Sequence, residues 1–498
     1  MKTTTLRLHT GFQIAEVDAR IFGGFLEHMG RAVYEGVYQP GSAHADAAGW
    51  RSDVLEALRG LDMTAMRYPG GNFVSGYHWQ DGIGPPESRP RLRESAWNSV
   101  ETNQVGTDEF VSLARRMGWQ PMLSVNLGTG TPEEARNWVD YCNSPVGTRY
   151  ADLRAEGGSP EPHGVKLWCL GNEMDGPWQI GHVPAEQYGW RAQQAAKLMK
   201  DADRSIELVV SGSSHPLLPT YLEWDRTALE IVGDHADYLS THRYVGVPRG
   251  DTADFLAVGN AIDRQIEEAD AVCRFVQGKR KSAKRAYVCF DEWNVWYRTF
   301  GRPEHMDGAG KQAPHLIEEI YSLEDALVVA GFLHSFVRHA DVVKVANLAQ
   351  IVNVIAPLVT RGDALLVQTI YWPFAMFSKR RRGVSLRTVV EGPGYEAPSY
   401  GRVDDVDASA ILEGARLSVF LTNRAAGEAE VAIDVADRSV AGFEDAELLT
   451  GPSAETCNTF EEPNVVRSEP FEDVAIEGGV ARTRLPPLSF LAMTLRLG

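Results

Sequence analysis

The apolar positions of residues 19–380 fall into two alternating patterns. Short apolar runs bounded by Gly, Pro or polar residues predict buried strands. Between them lie segments with helical spacing, such as 107–117, where Phe110, Leu113 and Met117 recur on one face and Gly118 marks the end. The strands are predicted at residues 21–27, 64–67, 121–125, 165–173, 206–210, 238–240, 286–292 and 342–347. The helices are predicted at 52–60, 107–117, from 131, 184–203, 252–278, 318–338 and 366–377.

This alternation determines the predicted fold class, α/β plus β. Strands that alternate with helices imply a parallel sheet with helical crossovers. Eight such units favour a closed (β/α)8 TIM barrel over a doubly wound sheet. Two Gly/Pro-rich segments, 146–164 and 247–252, are predicted to be flexible loops.

The pattern changes after about residue 380, where helical spacing stops. Short alternating runs separated by Gly, Pro and Asn predict a C-terminal antiparallel β-sandwich, and they lie at 416–421, 429–435, 480–485 and 489–497. Near the other end of the chain, Leu6 and Leu8 share one face of a strand that we expect to join this sandwich. The predicted units are therefore N-terminal strands at 1–18, a barrel at 19–380 and a sandwich at 381–498.

Two predicted strands end in carboxylates. Residues 165–175 read VKLWCLGNEMD and residues 286–294 read AYVCFDEWN, so Glu173 and Glu292 each follow an apolar run. A carboxylate at the end of a buried strand is costly unless it faces a cleft. On the fourth and seventh strands of a barrel the two would face each other across the mouth, which suits glycoside hydrolysis. The alternative is two unrelated structural carboxylates.

Other polar side chains also gather at the predicted strand ends, where such barrels build their active sites. These are Glu27, Arg67, Asn72, Asn126, Asn172, Tyr244 and Gln350. The Asn172 amide could hold a sugar hydroxyl, whereas Glu27 could instead cap a helix and Arg67 could neutralise the carboxylates. Aromatic rings near this rim either stack on sugar rings or simply pack, and they are Trp97, Trp178, Trp293, Trp296 and Tyr244.

The composition limits the classes of binding partner that we expect for this protein. The 498 residues carry a formal net charge of −18, which argues against nucleic acid and anionic membranes and fits a neutral substrate such as a sugar. The N-terminal residues contain no apolar signal-peptide region, and no apolar run approaches the ~18 residues of a membrane span, so we expect a cytoplasmic protein.

No cofactor or metal motif is present. The five cysteines form no CxxC pair, and His28, His78 and His242 lack HxH or HExxH spacing, so hydrogen-bonded or solvated histidines are favoured over metal ligands. No phosphate-binding glycine loop follows a strand, and the GxSxG pattern of serine hydrolases is absent. We therefore expect neither a cofactor nor a metal.

Four long motifs, in order, resemble one known family. They are FGGFLEHMGRAVYEGVY at 22–38, RYPGGNFVSGYHWQDGIGP at 67–85, GNEMDGPWQIGH at 171–182 and DEWNVWY at 291–297. These stretches look like α-L-arabinofuranosidases of glycoside hydrolase family fifty-one, and the similarity continues into the closing strands LPPLSFLAMTLRL.

The resemblance implies a retaining, exo-acting enzyme with a jelly-roll-like sandwich, which is often a homohexamer. It would release terminal non-reducing α-L-arabinofuranosyl residues from arabino- and arabinoxylo-oligosaccharides by double displacement. Glu173 matches the general acid/base and Glu292 the nucleophile, with Arg67 supporting the nucleophile. The positions that match residues holding arabinofuranose are Glu27, Asn72, Asn172, Tyr244 and Gln350, and Trp97 and Trp296 match aromatic positions near the leaving group.

Three alternatives remain open from the sequence. The first is another retaining barrel glycosidase, a β-xylosidase or an endo-β-glycanase. The second is a non-catalytic carbohydrate-binding protein, and the third is a metal-dependent barrel hydrolase. The intact glutamate pair favours a glycosidase over a simple binding protein.

Overall fold

A computed structural model describes residues 3–246 and 251–498. Its central feature is a closed barrel of eight parallel strands, each paired with the next along the chain and the eighth with the first. We refer to them in chain order as the first to eighth barrel strands: Gly23–Phe25, Ala65–Tyr68, Gln120–Ser124, Leu167–Leu170, Glu207–Val210, Tyr238–Val245, Tyr287–Val295 and Val343–Ala349. The predicted (β/α)8 barrel is confirmed, and the doubly wound alternative is wrong.

Helices connect successive barrel strands. The described α-helices are Ser52–Leu61, Thr107–Met117, Pro132–Asn143, Arg149–Glu156, Ala185–Ala202, Glu223–Val232, Thr252–Leu256, Gly259–Arg280, Leu323–Arg338 and Tyr371–Ser378. Short 3-10 helices lie at Ala19–Phe22, Asn72–Gly76, Trp79–Gly82, Pro86–Ser88, Gly233–His235 and Pro303–His305. None of the described helices is both long and apolar enough to cross a membrane.

Some predicted element bounds were wrong. The segment at 146–164 contains the helix Arg149–Glu156, and the helix predicted at 366–377 begins only at Tyr371. The reason for the second error is a tight hairpin, because Ala364–Val367 pairs with Leu358–Arg361 and uses the apolar residues that had suggested a helix. The loop predicted at 247–252 lies mostly outside the described residues.

Two sheets form the C-terminal sandwich. One contains Val389–Glu391, Thr4–Leu8, Ala429–Val435, Val480–Leu485 and Val474–Glu477. The other contains Gln13–Glu16, Val384–Leu386, Val406–Glu413, Arg416–Asn423, Ser489–Leu497, Val440–Leu449 and Ser468–Pro470. Two further ribbons pair Leu92–Glu94 with Ser99–Glu101 and Gly394–Ala397 with Gly401–Asp404.

The N-terminal strands belong to the sandwich, as predicted. Thr4–Leu8 lies antiparallel to Val389–Glu391 and parallel to Ala429–Val435, so one of its two pairings departs from the antiparallel pattern. Leu6 and Leu8 are buried in the sandwich core. The domain boundaries at 18/19 and 380/381 stay a prediction.

A buried histidine joins the barrel to the sandwich. His334, on the helix Leu323–Arg338, lies 2.9 Å from Ser409 Oγ through Nδ1 and 3.0 Å from Thr422 Oγ1 through Nε2. Burial lowers the pKa of His334 to about 4, so the ring is neutral at neutral pH. Because each ring nitrogen has a hydroxyl partner, this neutral polar side chain can be buried without an unsatisfied hydrogen-bonding group.

Candidate active site

Glu173 lies just past the end of the fourth barrel strand. Gly171 there has φ +87°, which glycine adopts readily, and Glu173 itself has φ +44°, a region that non-glycine residues rarely occupy. The carboxylate receives a hydrogen bond from Trp178 Nε1 at 2.6 Å and lies 3.0 Å from Nδ1 of His242. The sharp turn thus directs Glu173 into the mouth of the barrel.

Glu292 lies within the seventh barrel strand, not at its end as predicted, because the strand continues to Val295. Successive side chains of a regular strand point to opposite faces, yet both Asp291 and Glu292 contact Arg67. The pairing with the eighth strand shifts register between Phe290 and Trp293. This local irregularity is what lets two consecutive carboxylates face the barrel interior.

The two glutamates come together. An oxygen of Glu173, an oxygen of Glu292 and a ring nitrogen of His242 all lie within 4.8 Å of one another. Nδ1 of His242 lies between the carboxylates, 3.0 Å from Glu173 Oε1 and 3.6 Å from Glu292 Oε2. Glu292 is buried and Glu173 is half-buried beside it, so the pair occupies one site.

Arg67, on the second barrel strand, organises the nucleophile side. Its Nη1 donates to Glu292 Oε1 at 2.5 Å and its Nη2 to Asn172 Oδ1 at 2.6 Å. Its Nε lies 3.2 Å from Asp291 Oδ2, as an ionic contact without good hydrogen-bond alignment. Asn172 Nδ2 is buried and has no hydrogen-bond partner in the described chain, so it can donate to a ligand.

Tyr244 completes the surroundings of Glu292. Its hydroxyl donates to Glu292 Oε2 at 2.8 Å. Burial raises the pKa of Glu292, and the positive charges of His242 and Arg67 oppose that shift. The ionised form of Glu292 therefore depends on its donors.

A second wall of the site is built around Glu27. Its Oε1 accepts hydrogen bonds from Phe73 N at 2.9 Å and Trp97 Nε1 at 3.0 Å. Gln350 Oε1 accepts from Glu27 N at 2.9 Å, and Gln350 Nε2 lies 3.5 Å from Glu27 Oε2. Burial, reinforced by the charge of Glu292, raises the pKa of Glu27 to about 8, so this carboxyl group is protonated at neutral pH.

The glycine pair of the PGGN motif allows this close packing. A Cβ atom on Gly71 would lie 2.7 Å from Glu27 Oε2. Such contacts are too short for real side chains, so Gly71 lets the loop after the second strand approach the carboxyl group. Asn72 follows directly, with a half-buried side chain next to this wall.

Comparison with known proteins identifies the family. The chain matches the alpha-L-arabinofuranosidase 1 domain over residues 57–251 and the alpha-L-arabinofuranosidase C-terminal domain over 291–489. It is 44% identical to an intracellular exo-α-(1→5)-L-arabinofuranosidase of Acetivibrio thermocellus, over 90% of each chain. It is 41% identical to intracellular exo-α-(1→5)-L-arabinofuranosidase 1 of Bacillus subtilis, over 100% of this chain and 99% of that one. The chain belongs to the α-L-arabinofuranosidase family.

The α-L-arabinofuranosidase fold is shared in full. The structure of a family 51 α-L-arabinofuranosidase from Bifidobacterium longum matches with a TM-score of 0.95 and 34% identity, covering 100% of both chains. As a member of this family the chain is a glycoside hydrolase acting on arabinofuranosides. The resemblance predicted from the four motifs is confirmed, and the non-catalytic carbohydrate-binding alternative is wrong.

The aromatic residues of this α-L-arabinofuranosidase divide into core and rim. Trp293 is fully buried against Phe332 and Phe336, so for it the packing interpretation holds. Trp296 is only partly buried, and its ring meets Tyr244 edge-on at 5.4 Å. Trp178 is 49% exposed beside Glu173. Trp178 and Trp296 thus lie at the rim, and the sugar contacts predicted for Trp97, Trp296 and Tyr244 stay predictions.

Sequence reasoning missed the residues behind the two glutamates. His242 was expected to be an ordinary hydrogen-bonded histidine, and Asp291 and Ser240 received no role. Burial alone would lower the pKa of His242, but Glu292 and Asp291 outweigh it and hold the pKa well above its usual value. The available signal was position, because His242 follows the predicted sixth strand two residues before Tyr244.

A metal ion at this site would need Glu173, His242 and Glu292, whose ligand atoms are close enough to surround one. Imidazole must be neutral to coordinate a metal. The raised pKa of His242 keeps its ring protonated near neutral pH, which disfavours that role. The prediction that the α-L-arabinofuranosidase needs no metal stays a prediction.

Proposed function

We propose that the protein is a retaining, exo-acting α-L-arabinofuranosidase with Glu292 as nucleophile and Glu173 as general acid/base. The observation that carries this proposal is the spacing of the two carboxylates, with one oxygen from each within 4.8 Å. Retaining glycosidases hold their carboxyl groups ~5 Å apart, whereas inverting enzymes need roughly 6.5–9.5 Å to admit a water molecule. The short spacing favours double displacement.

In the first step Glu292 attacks the anomeric carbon. The bond from that carbon to the leaving oxygen breaks, and the proton of Glu173 passes to that oxygen. Arg67 and Tyr244 orient the Glu292 carboxylate through their hydrogen bonds. The product of this step is an arabinofuranosyl ester of Glu292.

In the second step water attacks the same carbon. Glu173, now a carboxylate, accepts the proton of the water, and the bond to Glu292 breaks. Arabinose leaves with its original anomeric configuration, because two inversions cancel. Asn172 Nδ2, the protonated Glu27 and Gln350 supply hydrogen-bonding groups for the sugar hydroxyls.

The substrates we propose are short arabino- and arabinoxylo-oligosaccharides inside the cell. Both compared relatives are named intracellular exo-α-(1→5)-L-arabinofuranosidases, which supports α-1,5-linked ends among the substrates. Rim rings at Trp178 and Trp296 suit the leaving sugar, since aromatic faces pack against apolar sugar faces. The homohexamer implied by the family resemblance stays a prediction.

The test uses 4-nitrophenyl α-L-arabinofuranoside, with aryl β-xylosides as the comparison, and azide as a small external nucleophile. With Glu173→Ala we expect azide to restore turnover and give the azide of retained configuration, because Glu292 still forms the ester. With Glu292→Ala we expect azide to attack directly and give the inverted product. NMR spectroscopy of the anomeric proton distinguishes the two products.

Glu230→Gln is the matched control, since Glu230 lies on the outer helix Glu223–Val232 and its carboxylate pairs with Arg226 and Lys279. It should keep the wild-type rate. Near-normal turnover of Glu292→Ala without azide, or an inverted azide from Glu173→Ala, would overturn the assigned roles. Faster hydrolysis of the β-xyloside than of the arabinofuranoside would favour the β-xylosidase alternative.

A further inference from the structure

The two-carboxylate mechanism gives no role to Asp291, a buried charge of the site. Asp291 precedes the nucleophile and is 1% exposed, less than Glu292 itself. It lies beneath Arg67 and His242, away from the mouth, and is too enclosed to reach a substrate. A buried carboxylate is costly unless its partners compensate for it.

Asp291 contacts both cations of the site. Its Oδ2 lies 3.2 Å from Arg67 Nε, and its Oδ1 lies 3.3 Å from His242 Nε2. The same Oδ1 accepts a hydrogen bond from Ser240 Oγ at 2.5 Å, and Ser240 Oγ lies 3.2 Å from His242 Nε2. One carboxylate therefore fixes the inner edges of a guanidinium group and an imidazole ring.

The outer edges of the same two groups bind the catalytic pair. Arg67 donates through Nη1 to Glu292, and His242 presents Nδ1 to Glu173 at 3.0 Å. Each catalytic carboxylate is thus one residue removed from Asp291. If Asp291 lost its charge, Arg67 would keep Asn172 and His242 would keep Ser240, but both cations would lose the carboxylate opposite the catalytic pair.

We propose that Asp291 is a positioning residue for both catalytic carboxylates, acting on Glu292 through Arg67 and on Glu173 through His242. This inference rests on the proposed double displacement. The proposal gives Asp291 a different role toward each catalytic carboxylate. Toward Glu292 it fixes the direction of the guanidinium, and toward Glu173 it keeps a positive ring beside a carboxylate that alternates between protonated and ionised forms.

The charges that face His242 support this assignment. Asp291 and Glu292 face the ring from the seventh strand, Glu173 faces it from the loop after the fourth strand, and the charge of Asp175 also acts on it. Arg67, from the second strand, contacts two of these carboxylates. Since burial alone would raise the pKa of Asp291, its lowered pKa reflects Arg67 and then His242, and the carboxylate stays ionised.

The test compares wild-type enzyme with Asp291→Asn, which keeps the shape and removes the charge. We expect kcat to fall roughly 100-fold, with KM changed less than about threefold, because misplaced reacting groups cost chemistry more than binding. We also expect the basic limb of the pH profile of kcat/KM to move down by about half a unit or more. Without the negative charge of Asp291, His242 deprotonates at lower pH, so the positive ring beside Glu173 is lost at a lower pH.

Asp225→Asn is the control, because this buried carboxylate binds Ser213 N and Oγ at 2.6 and 2.8 Å, not the two cations. It should leave the basic limb in place. A rate loss in Asp291→Asn without movement of the limb would show a merely structural role and overturn the proposal, as would unchanged kinetics. If wild-type enzyme released no arabinose, the proposed function would fail instead.

A second measurement needs no mutation of Asp291. In wild-type protein labelled with ¹³C at histidine Cε1, we expect the His242 resonance, assigned from its absence in His242→Gln, to titrate well above the ordinary histidine value. Titration near the ordinary histidine value of about 6.5 would overturn the inference even if Asp291→Asn did not fold.

Discussion

Replacing Tyr244 with Phe removes only the hydroxyl group that donates a hydrogen bond to the nucleophile, Glu292. The bond from Tyr244 to Glu292 Oε2 is 2.8 Å long and ends on a carboxylate. Hydrogen bonds to charged groups contribute about 1.5–3 kcal/mol. A shift of one pKa unit corresponds to about 1.4 kcal/mol, so losing this donor should raise the pKa of Glu292 by about one unit, and by about two at most.

The sign of the effect follows from the proposed role. Glu292 attacks only as a carboxylate, and its pKa is already raised by burial. A further rise means that the nucleophile becomes protonated at higher pH, so the acidic limb of kcat/KM should move upward while the basic limb stays. The assay is the pH profile of 4-nitrophenyl α-L-arabinofuranoside hydrolysis from about pH 4 to pH 9.

Tyr188→Phe is the matched control for this prediction. Its buried hydroxyl donates to Leu170 O at 2.9 Å and accepts from Ser211 N at 2.7 Å, without contacting Glu292. It removes a buried hydroxyl from the same barrel, so it controls for loss of packing. An acidic limb that stays in place in Tyr244→Phe, or moves equally in Tyr188→Phe, would refute the reasoning.

Two further predictions concern stability and the glycine loop. His334 has its pKa lowered to about 4, so the unfolded chain binds more protons between about pH 4 and pH 6.5, and wild-type stability should fall as the pH is lowered through that window. His334→Gln should lose that part of the pH dependence, worth at most about 3.4 kcal/mol; melting temperatures that change equally with pH in wild type and variant would contradict this. Gly71→Ala should lower kcat/KM about tenfold or more by displacing Glu27. Gly41→Ala, whose added Cβ would meet no atom within 4 Å, should not, and equal kinetics in both variants would count against the close-packing argument.

The barrel could be predicted from the sequence because its signal is local and repeated. Glu173 was placed correctly since an apolar run stops at Gly171, and that stop is visible in the letters alone. The sandwich strands at 429–435, 480–485 and 489–497 were predicted with the bounds that the structure has, because a Gly or Pro residue lies close to at least one end of each run. The pairing of Glu173 with Glu292 followed from strand order.

Other features depend on contacts between distant strands. Periodicity would put Asp291 and Glu292 on opposite faces, and the register shifts against the sixth and eighth strands bring both inward. The environment of His242 is made by residues from the fourth and seventh strands, so the letters around it gave little indication of its raised pKa. Leu366 and Val367 were assigned to a helix because a short apolar run does not distinguish a hairpin from a helix start.

The position of Thr4–Leu8 has a consequence for how the chain is made. This segment leaves the ribosome well before its partners Val389–Glu391 and Ala429–Val435, which are translated hundreds of residues later. Until then its apolar side chains at Leu6 and Leu8 have no sheet to enter. Trimming either end of this chain therefore removes strands from the same sandwich. A fragment that contains only the barrel would expose to solvent the helix surface around His334, which packs against the sandwich in the full chain.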